Sequence, residues 1–405
     1  MKRRSLLRRM YRFTWRYKMT PAGKVLTGVI GVASVGTVTV EAPVYLVCCV
    51  MLGMLLAAEF FGLLVKPSLL VSAEWPATLS VGEETSVPVR LSSRSRWRTA
   101  FDLMLMLPER PSGLEHVNAD AFLAKLRPGE TMDVPLVVRP LRRGRLRVEG
   151  VDAHSTFPFN LIRVPGGRTG PAAFVALPAY RPLMRLDLPV DQAAAAGQLV
   201  LSGAAGESTE YLGNRDYSPG EPVRRLDFRA WARLGRPVVK EYQDEHASRI
   251  GLLVDTLTAK GKEAARRTEA AVSLAAAVAD AAVGDDFQIG LLATGSDLYR
   301  LSAGGDATGD LLERLATAVP TEVPAYDAML GPLLAAAEET AALVVVLGTV
   351  DGPRRALLRG LSEEGPPLKV VVVEGALAVD AASLPGDDVV VVPLADVEAG
   401  LVAAL

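Results

Sequence analysis

Cysteine is nearly absent: Cys48 and Cys49 are the only two, adjacent inside an apolar run. That excludes a disulfide framework and any zinc-type ligand spacing. Histidine is also scarce, limited to His116, His154 and His246. His116 and His154 have no acidic or cysteine partners at ligand spacing and read as surface or edge residues. No G-x-x-x-x-G-K-[ST] segment exists, which argues against ATP hydrolysis by this chain. No G-x-S-x-G elbow and no convincing Ser-His-Asp order exist either, so a hydrolase has no visible constellation. With hydrophobic residues at 50%, disorder over most of the length is excluded.

Acids are missing from residues 1–24, which carry nine Lys or Arg. The formal net charge of −2 therefore hides a +9 terminus and a −11 remainder. The basic block is short and backed by an apolar run, so no nucleic-acid partner is expected. Charge is missing again from Val25 to Val40 and from Val44 to Ala58, with Glu41-Ala42-Pro43 between. One helix over residues 25–65 would be about 60 Å long, roughly twice the hydrocarbon thickness. Two spans joined by a turn at Glu41-Ala42-Pro43 fit better. The lipid bilayer is thus the first expected partner. The Lys/Arg bias keeps the N-terminus in the cytoplasm, and two spans return the chain there. Glu59 is expected near the cytoplasmic end of the second span, within reach of water or headgroups.

Residues 66–180 read as β. Thr85–Leu91, Ala100–Leu107, Thr131–Arg139, Arg145–Val151 and Ala173–Leu177 are short β-rich runs parted by turn chemistry. The expected fold is a small antiparallel, immunoglobulin-like β-sandwich without the disulfide. Ala119–Leu126 reads as a short helix or a loop. Residues 181–248 read as a linker carrying a dense charged segment.

Residues 249–405 alternate strands and helices. The expected strands are Arg249–Val254, Phe287–Ala293, Leu298–Leu301, Leu343–Leu347, Lys369–Val373 and Val389–Val392. The expected helices are Gly261–Val283, Asp310–Ala318, Ala325–Glu339, Arg354–Leu361 and Val397–Leu405. Near-continuous apolar strands mean a mostly parallel sheet covered on both faces, an α/β, Rossmann-like domain. Asp255 ends the first of these strands, where such sheets place ligands.

The densest chemistry runs from Glu210 to Arg233. Ser218-Pro219-Gly220-Glu221 fits a type II turn. Around it Arg215, Arg224, Arg225, Arg229 and Arg233 face Glu210, Asp216, Glu221 and Asp227. Arg–carboxylate pairing makes a fixed ion network chemically sensible. Two readings stand: a salt-bridged clasp holding the loop to the sheet, or an anion or partner-docking site.

This segment resembles the signature of the bacterial domain-of-unknown-function family 58 (DUF58). Glu210, Gly213, Arg215, Tyr217, Pro219, Gly220, Glu221, Arg224, Leu226, Ala232 and Arg233 stand at matching positions. Asp227-Phe228 replaces the family's usual His-Trp, and Trp231 replaces a small hydroxyl residue. Thr156-Phe157-Pro158-Phe159-Asn160-Leu161 resembles an aromatic-Pro-Phe-Gly-Leu stretch of the family, with Asn160 at the Gly position.

The resemblance implies two N-terminal spans, a β region and a von Willebrand factor A-like domain. It also implies a membrane-anchored, non-enzymatic adaptor in the bacterial inner membrane, working with a MoxR-type AAA+ ATPase in protein-complex assembly or maturation. The alternative is a metal-dependent ligand-binding module with a degenerate site. Von Willebrand factor A domains often bind a divalent metal through D-x-S-x-S. Here Leu257 and Ala259 stand at the two Ser positions, leaving Asp255 and Thr258 as weak candidates. No cofactor is therefore expected. Asp255 could instead cap the following helix region or pair with an arginine.

Overall fold

The computed structural model describes residues 14–36, 44–108, 113–190, 210–217, 226–243, 249–256, 261–285, 287–294, 297–301, 307–318, 326–338, 340–375 and 380–405. The chain divides into two compact units, Met1–Ala179 and Tyr180–Leu405.

The first unit begins with a π-helical turn at Thr14–Lys18, then α1 (Pro21–Gly36) and α2 (Val44–Leu64). Thr20 and Pro21 make a sound helix start. The Thr20 hydroxyl accepts the Gly23 N–H at 3.0 Å and donates to the Asn160 carbonyl at 2.5 Å. Within α2, Tyr45–Leu64 is long and apolar enough to cross a membrane. Among the described residues it is the one such helix, where two were expected. The 16 residues of α1 rise only about 24 Å, short of the roughly 30 Å of hydrocarbon. The expected turn at Glu41-Ala42-Pro43 lies outside the described residues.

Leu46, Val50, Leu56, Phe60 and Leu63 of α2 are exposed. A core helix of a soluble domain would bury such residues. Ala58 is deeply buried, in a cluster with Leu161 and Ile162, against which Leu26 and Leu55 pack. Glu59 is ion-paired with Lys18.

The strands of the first unit are β1 (Leu69–Ala73), β2 (Thr78–Ser80), β3 (Thr85–Ser93), β4 (Ala100–Met106), β5 (Leu114–His116), β6 (Phe122–Leu126), β7 (Thr131–Pro140), β8 (Gly144–Val148), β9 (Asp152–Ser155), β10 (Val164–Arg168) and β11 (Ala172–Leu177). They form sheets of order β1-β3-β7-β5, β10-β9-β4-β6 and β2-β11-β8. The β2–β11 pair is parallel and the others are antiparallel. Alternation does the sorting: Val87, Val89 and Leu91 of β3 point inward, to a core shared with Leu103, Leu105, Leu136 and Val138. The stretch expected as a short helix or loop at Ala119–Leu126 instead supplies β6. Its pairing with β4 sets Leu123 opposite Leu103 and buries Leu126 opposite Ala100.

In the second unit, β12 (Glu210–Asp216) pairs antiparallel with β13 (Val238–Gln243), with α3 (Phe228–Leu234) between them in sequence. Then follow β14 (Arg249–Val254), α4 (Lys262–Gly284), β15 (Gln288–Thr294), β16 (Asp297–Arg300), α5 (Ala307–Thr317), α6 (Tyr326–Ala337), β17 (Ala342–Leu347), α7 (Gly352–Glu364), β18 (Leu368–Glu374), β19 (Asp388–Pro393) and α8 (Leu394–Ala399). The sheet order is β16-β15-β14-β17-β18-β19, with β16 antiparallel and the rest parallel. Counted from β14 this is the doubly wound order 3-2-1-4-5-6, which reverses direction between β14 and β17.

Leu253, Val345, Leu347, Val370 and Val372 pack with Met329 and Leu333 of α6 and Leu357, Leu358 and Leu361 of α7. The alternate residues Leu252, Val254, Val344, Val346 and Val371 are buried on the other face, where the alanine-rich α4 packs. The final helix was expected over Val397–Leu405, but α8 ends at Ala399. Gly400 adopts φ +67° there, and the last residues run extended, bonding to Arg185.

Candidate functional site

Asp255 follows β14 and Asp351 lies beyond β17, the two strands between which the sheet order reverses. In open α/β sheets, the crevice at the carboxyl ends of such a strand pair is where ligands bind. Asp351 is the N-cap of α7: its carboxylate accepts the Arg354 backbone N–H at 3.1 Å, and Pro353 occupies the first turn. This cap fixes Arg354 one turn into the helix. From there the guanidinium reaches back over the crevice. Its Nε donates to Asp255 Oδ2 at 2.7 Å and its Nη2 to Oδ1 at 3.3 Å, while Nη1 donates to Asp351 Oδ2 at 2.5 Å. The Asp255 and Arg354 side chains are 3% and 7% exposed, against 44% for Asp351. The fork-on-carboxylate geometry is the strong form of this pair, and Arg keeps its charge when buried.

A von Willebrand factor A-type metal site, the alternative reading, would draw on Asp255. Magnesium demands near-octahedral oxygen ligation. Both Asp255 oxygens already receive N–H groups from a permanent cation. Among the described residues no three His, Cys, Asp or Glu are placed to hold a metal. Thr258 lies outside the described residues. Among the described residues, the set around Asp255 does not fit a divalent ion. Asp255 pairs with an arginine, one of the alternatives open for it, and the partner is Arg354.

The signature segment is described in part. Ser218, Pro219, Gly220, Glu221, Arg224 and Arg225 lie outside the described residues, and with them the expected turn and part of the expected network. Glu210 and Gly213 lie on β12, whose register shifts between Tyr211 and Gly213. The Tyr217 N–H donates to the Pro237 carbonyl at 3.1 Å, closing the β12–β13 ribbon. Arg215 Nη1 reaches the Asp216 carbonyl at 3.3 Å. The Asp216 carboxylate pairs with Arg236 at 2.9 Å, a partner not foreseen from the sequence. Both are exposed, so this pair adds little stability. Arg229 and Arg233 are exposed on α3.

Asp227, standing where the family usually has His, is the N-cap of α3. Its Oδ1 accepts the N–H groups of Arg229 and Ala230 at 3.0 Å each, and its Oδ2 accepts from Asn214 at 3.2 Å. These bonds use the acceptor character of a carboxylate. Phe228 and Trp231 stack on the exposed face of the same helix, ring centroids 6.2 Å apart.

In the first unit, Asn160 adopts φ +53°, the left-handed conformation that Asn tolerates in place of Gly. His116 is half-buried and bonds to Asn118. His154, expected at the surface or an edge, is 5% exposed on β9, and neither ring nitrogen has a hydrogen-bond partner. Burial, with the nearby Arg163 charge, lowers its pKa to about 4; Asp152 opposes the shift.

Residues 213–401 match the model of a family described as protein of unknown function DUF58, and this region is a DUF58 domain. No curated protein matches the chain. Among solved structures, the native conformation of Escherichia coli α2-macroglobulin is similar at 16% identity over 28% of this chain and 7% of that one, with a TM-score of 0.20. A crystal structure of the same E. coli protein from domain MG7 to the C-terminus gives 17% identity over 29% and 18%, with a TM-score of 0.21. The CARDB domain of a Pyrococcus furiosus protein gives 14% identity over 27% and 93%, with a TM-score of 0.18. This chain spans less than a fifth of either α2-macroglobulin chain. Likenesses at these scores have no bearing on function.

Proposed function

We propose that the chain is a membrane-anchored, non-enzymatic adaptor or scaffold that works with a MoxR-type AAA+ ATPase in the assembly or maturation of a protein complex. It sits in the bacterial cytoplasmic membrane with two spans and both termini in the cytoplasm. The β module of the first unit serves as an immunoglobulin-like spacer, and the α/β domain, of von Willebrand factor A type, supplies the recognition surface. One observation carries the non-enzymatic part: the sheet's ligand position is filled by the protein's own Arg354, held by Asp255 and Asp351. That ion pair at the crevice supports a docking role over a reaction centre. The ATPase partner follows from the family resemblance together with the DUF58 domain.

The test uses the full chain in detergent, immobilised, and a purified MoxR-type AAA+ ATPase. Saturable capture with a changed ATP turnover is expected. No capture in either nucleotide state sinks the reading. The rival metal-dependent module is separated by calorimetry. A Mg²⁺ or Mn²⁺ binding heat that disappears in Asp255→Ala would favour it over the adaptor.

A further inference from the structure

From the last residue of β3 into the loop before β4 the chain reads Ser93-Arg94-Ser95-Arg96-Trp97-Arg98. Such a segment would ordinarily pass as a polar hairpin connection. Its position says more. Arg98 Nη1 donates to the Leu64 carbonyl at 2.9 Å, and the Arg94 N–H donates to the Ser68 carbonyl at 2.9 Å. The loop therefore lies against the end of α2, the helix that is long and apolar enough to cross a membrane. Ser95 holds the turn, its hydroxyl accepting the N–H groups of Trp97 at 3.4 Å and Arg98 at 2.8 Å.

This ordered turn displays Trp97 at 89% exposure, the most exposed of the large hydrophobic residues. Arg94, Arg96 and Arg98 are exposed with it, and none is ion-paired with an acid among the described residues. The neighbouring acid, Glu130, whose carbonyl receives the Ser93 N–H, turns its carboxylate to the Arg127 N–H of its own loop. An exposed indole costs solubility unless it has somewhere to go. An indole flanked by guanidinium groups suits the boundary where hydrocarbon meets phosphate.

We propose that Ser93–Arg98 is a membrane-interface anchor. Trp97 sits at headgroup level, and Arg94, Arg96 and Arg98 bind the phosphates of anionic lipid. The proposal rests on the membrane-anchored reading of α2, and it adds a second point of attachment that orients the β module. The loop thus adds positive charge about thirty residues past α2, where the fold returns it to the end of that helix.

The full chain is reconstituted into phosphatidylcholine vesicles with and without phosphatidylglycerol, including lipids brominated high on the acyl chain. Wild type is compared with Trp97→Phe, so the difference spectrum reports Trp97. The expected result is a blue-shifted Trp97 signal, quenched by the brominated lipid in anionic vesicles. In Arg94→Gln/Arg96→Gln, which spares the Arg98–Leu64 bond, the loop's bound-to-free ratio should fall by about thirty-fold. If the protein floats with vesicles but Trp97 stays open to aqueous iodide and blind to brominated lipid, the proposal is overturned and the anchor stands. If the wild-type protein fails to float, the anchor reading fails and takes the proposal with it.

Discussion

Asp255 and Arg354 show how one pair can decide what a crevice does. Alone, either charge would be costly where they lie, since both side chains are nearly inaccessible. Asp255→Ala should therefore cost about 3–5 kcal/mol, because it strands the guanidinium. Asp255→Ala/Arg354→Met should recover most of that loss. Urea midpoints of the full chain in detergent measure both, and an Asp255→Ala midpoint equal to wild type would contradict the pairing. His154 makes a different kind of claim. Its folded pKa of about 4 lies below the ordinary 6.5, so the folded state binds fewer protons than the unfolded one. Its contribution is complete above about pH 6.5 and is lost as pH falls toward 4, a span of about 3 kcal/mol. His154→Phe should flatten that stretch of the stability profile. Trp75, stacked on Phe174 at 5.3 Å inside the same module, gives a fluorescence readout.

At the scale of elements, glycines separate contact from mere presence. A Cβ on Gly23 of α1 would stand 2.1 Å from the Leu161 carbonyl oxygen, whereas one on Gly28 would meet nothing within 4 Å. Gly23→Ala should lower the melting temperature of the detergent-solubilised chain, by pushing α1 off the Phe157–Leu161 loop. Gly28→Ala should hold or raise it, since Ala exceeds Gly in helix propensity by about 1 kcal/mol. Equal shifts would show that the close approach does not matter. In the signature, Asp227→Ala should cost about 1 kcal/mol by leaving the first N–H groups of α3 uncapped. Asp227→Asn, which retains an acceptor oxygen, should cost less; amide exchange at Arg229 and Ala230 distinguishes them.

For the whole molecule, the prediction is topological. If both termini face the cytoplasm, protease added outside spheroplasts should leave the α/β domain intact until the membrane is opened. Cleavage before opening would reverse the orientation. Much of the architecture behind this was legible in the chain. The strands β14, β17 and β18 stand within a residue or so of the runs of Leu and Val that predict them, because a strand buried on both faces must be apolar throughout. The β region was harder. β6 reads as a short helix or a loop because Phe122–Leu126, mostly exposed, has no clean alternation, and only pairing with β4 makes it a strand. In the candidate site Asp255 could be marked from its place at a strand end. Arg354 could not, being one of many arginines until α7 turns it inward. The local cue was Asp351-Gly352-Pro353, a helix start that places Arg354 in the first turn.

Sequence alone determined what depends on near neighbours: the charge-free runs, the Val and Leu strands, the acid at the end of β14 and the signature itself. Tertiary structure alone decided what depends on chain return. It set Arg354 on Asp255 across 99 residues of separation, Lys18 on Glu59, and the arginine and tryptophan loop at the end of α2. The physical reason is the same in each case. Helix and strand periodicities are written in steps of two to four residues. The partner of a charge is set by which elements the sheet order brings together, and no local pattern carries that information.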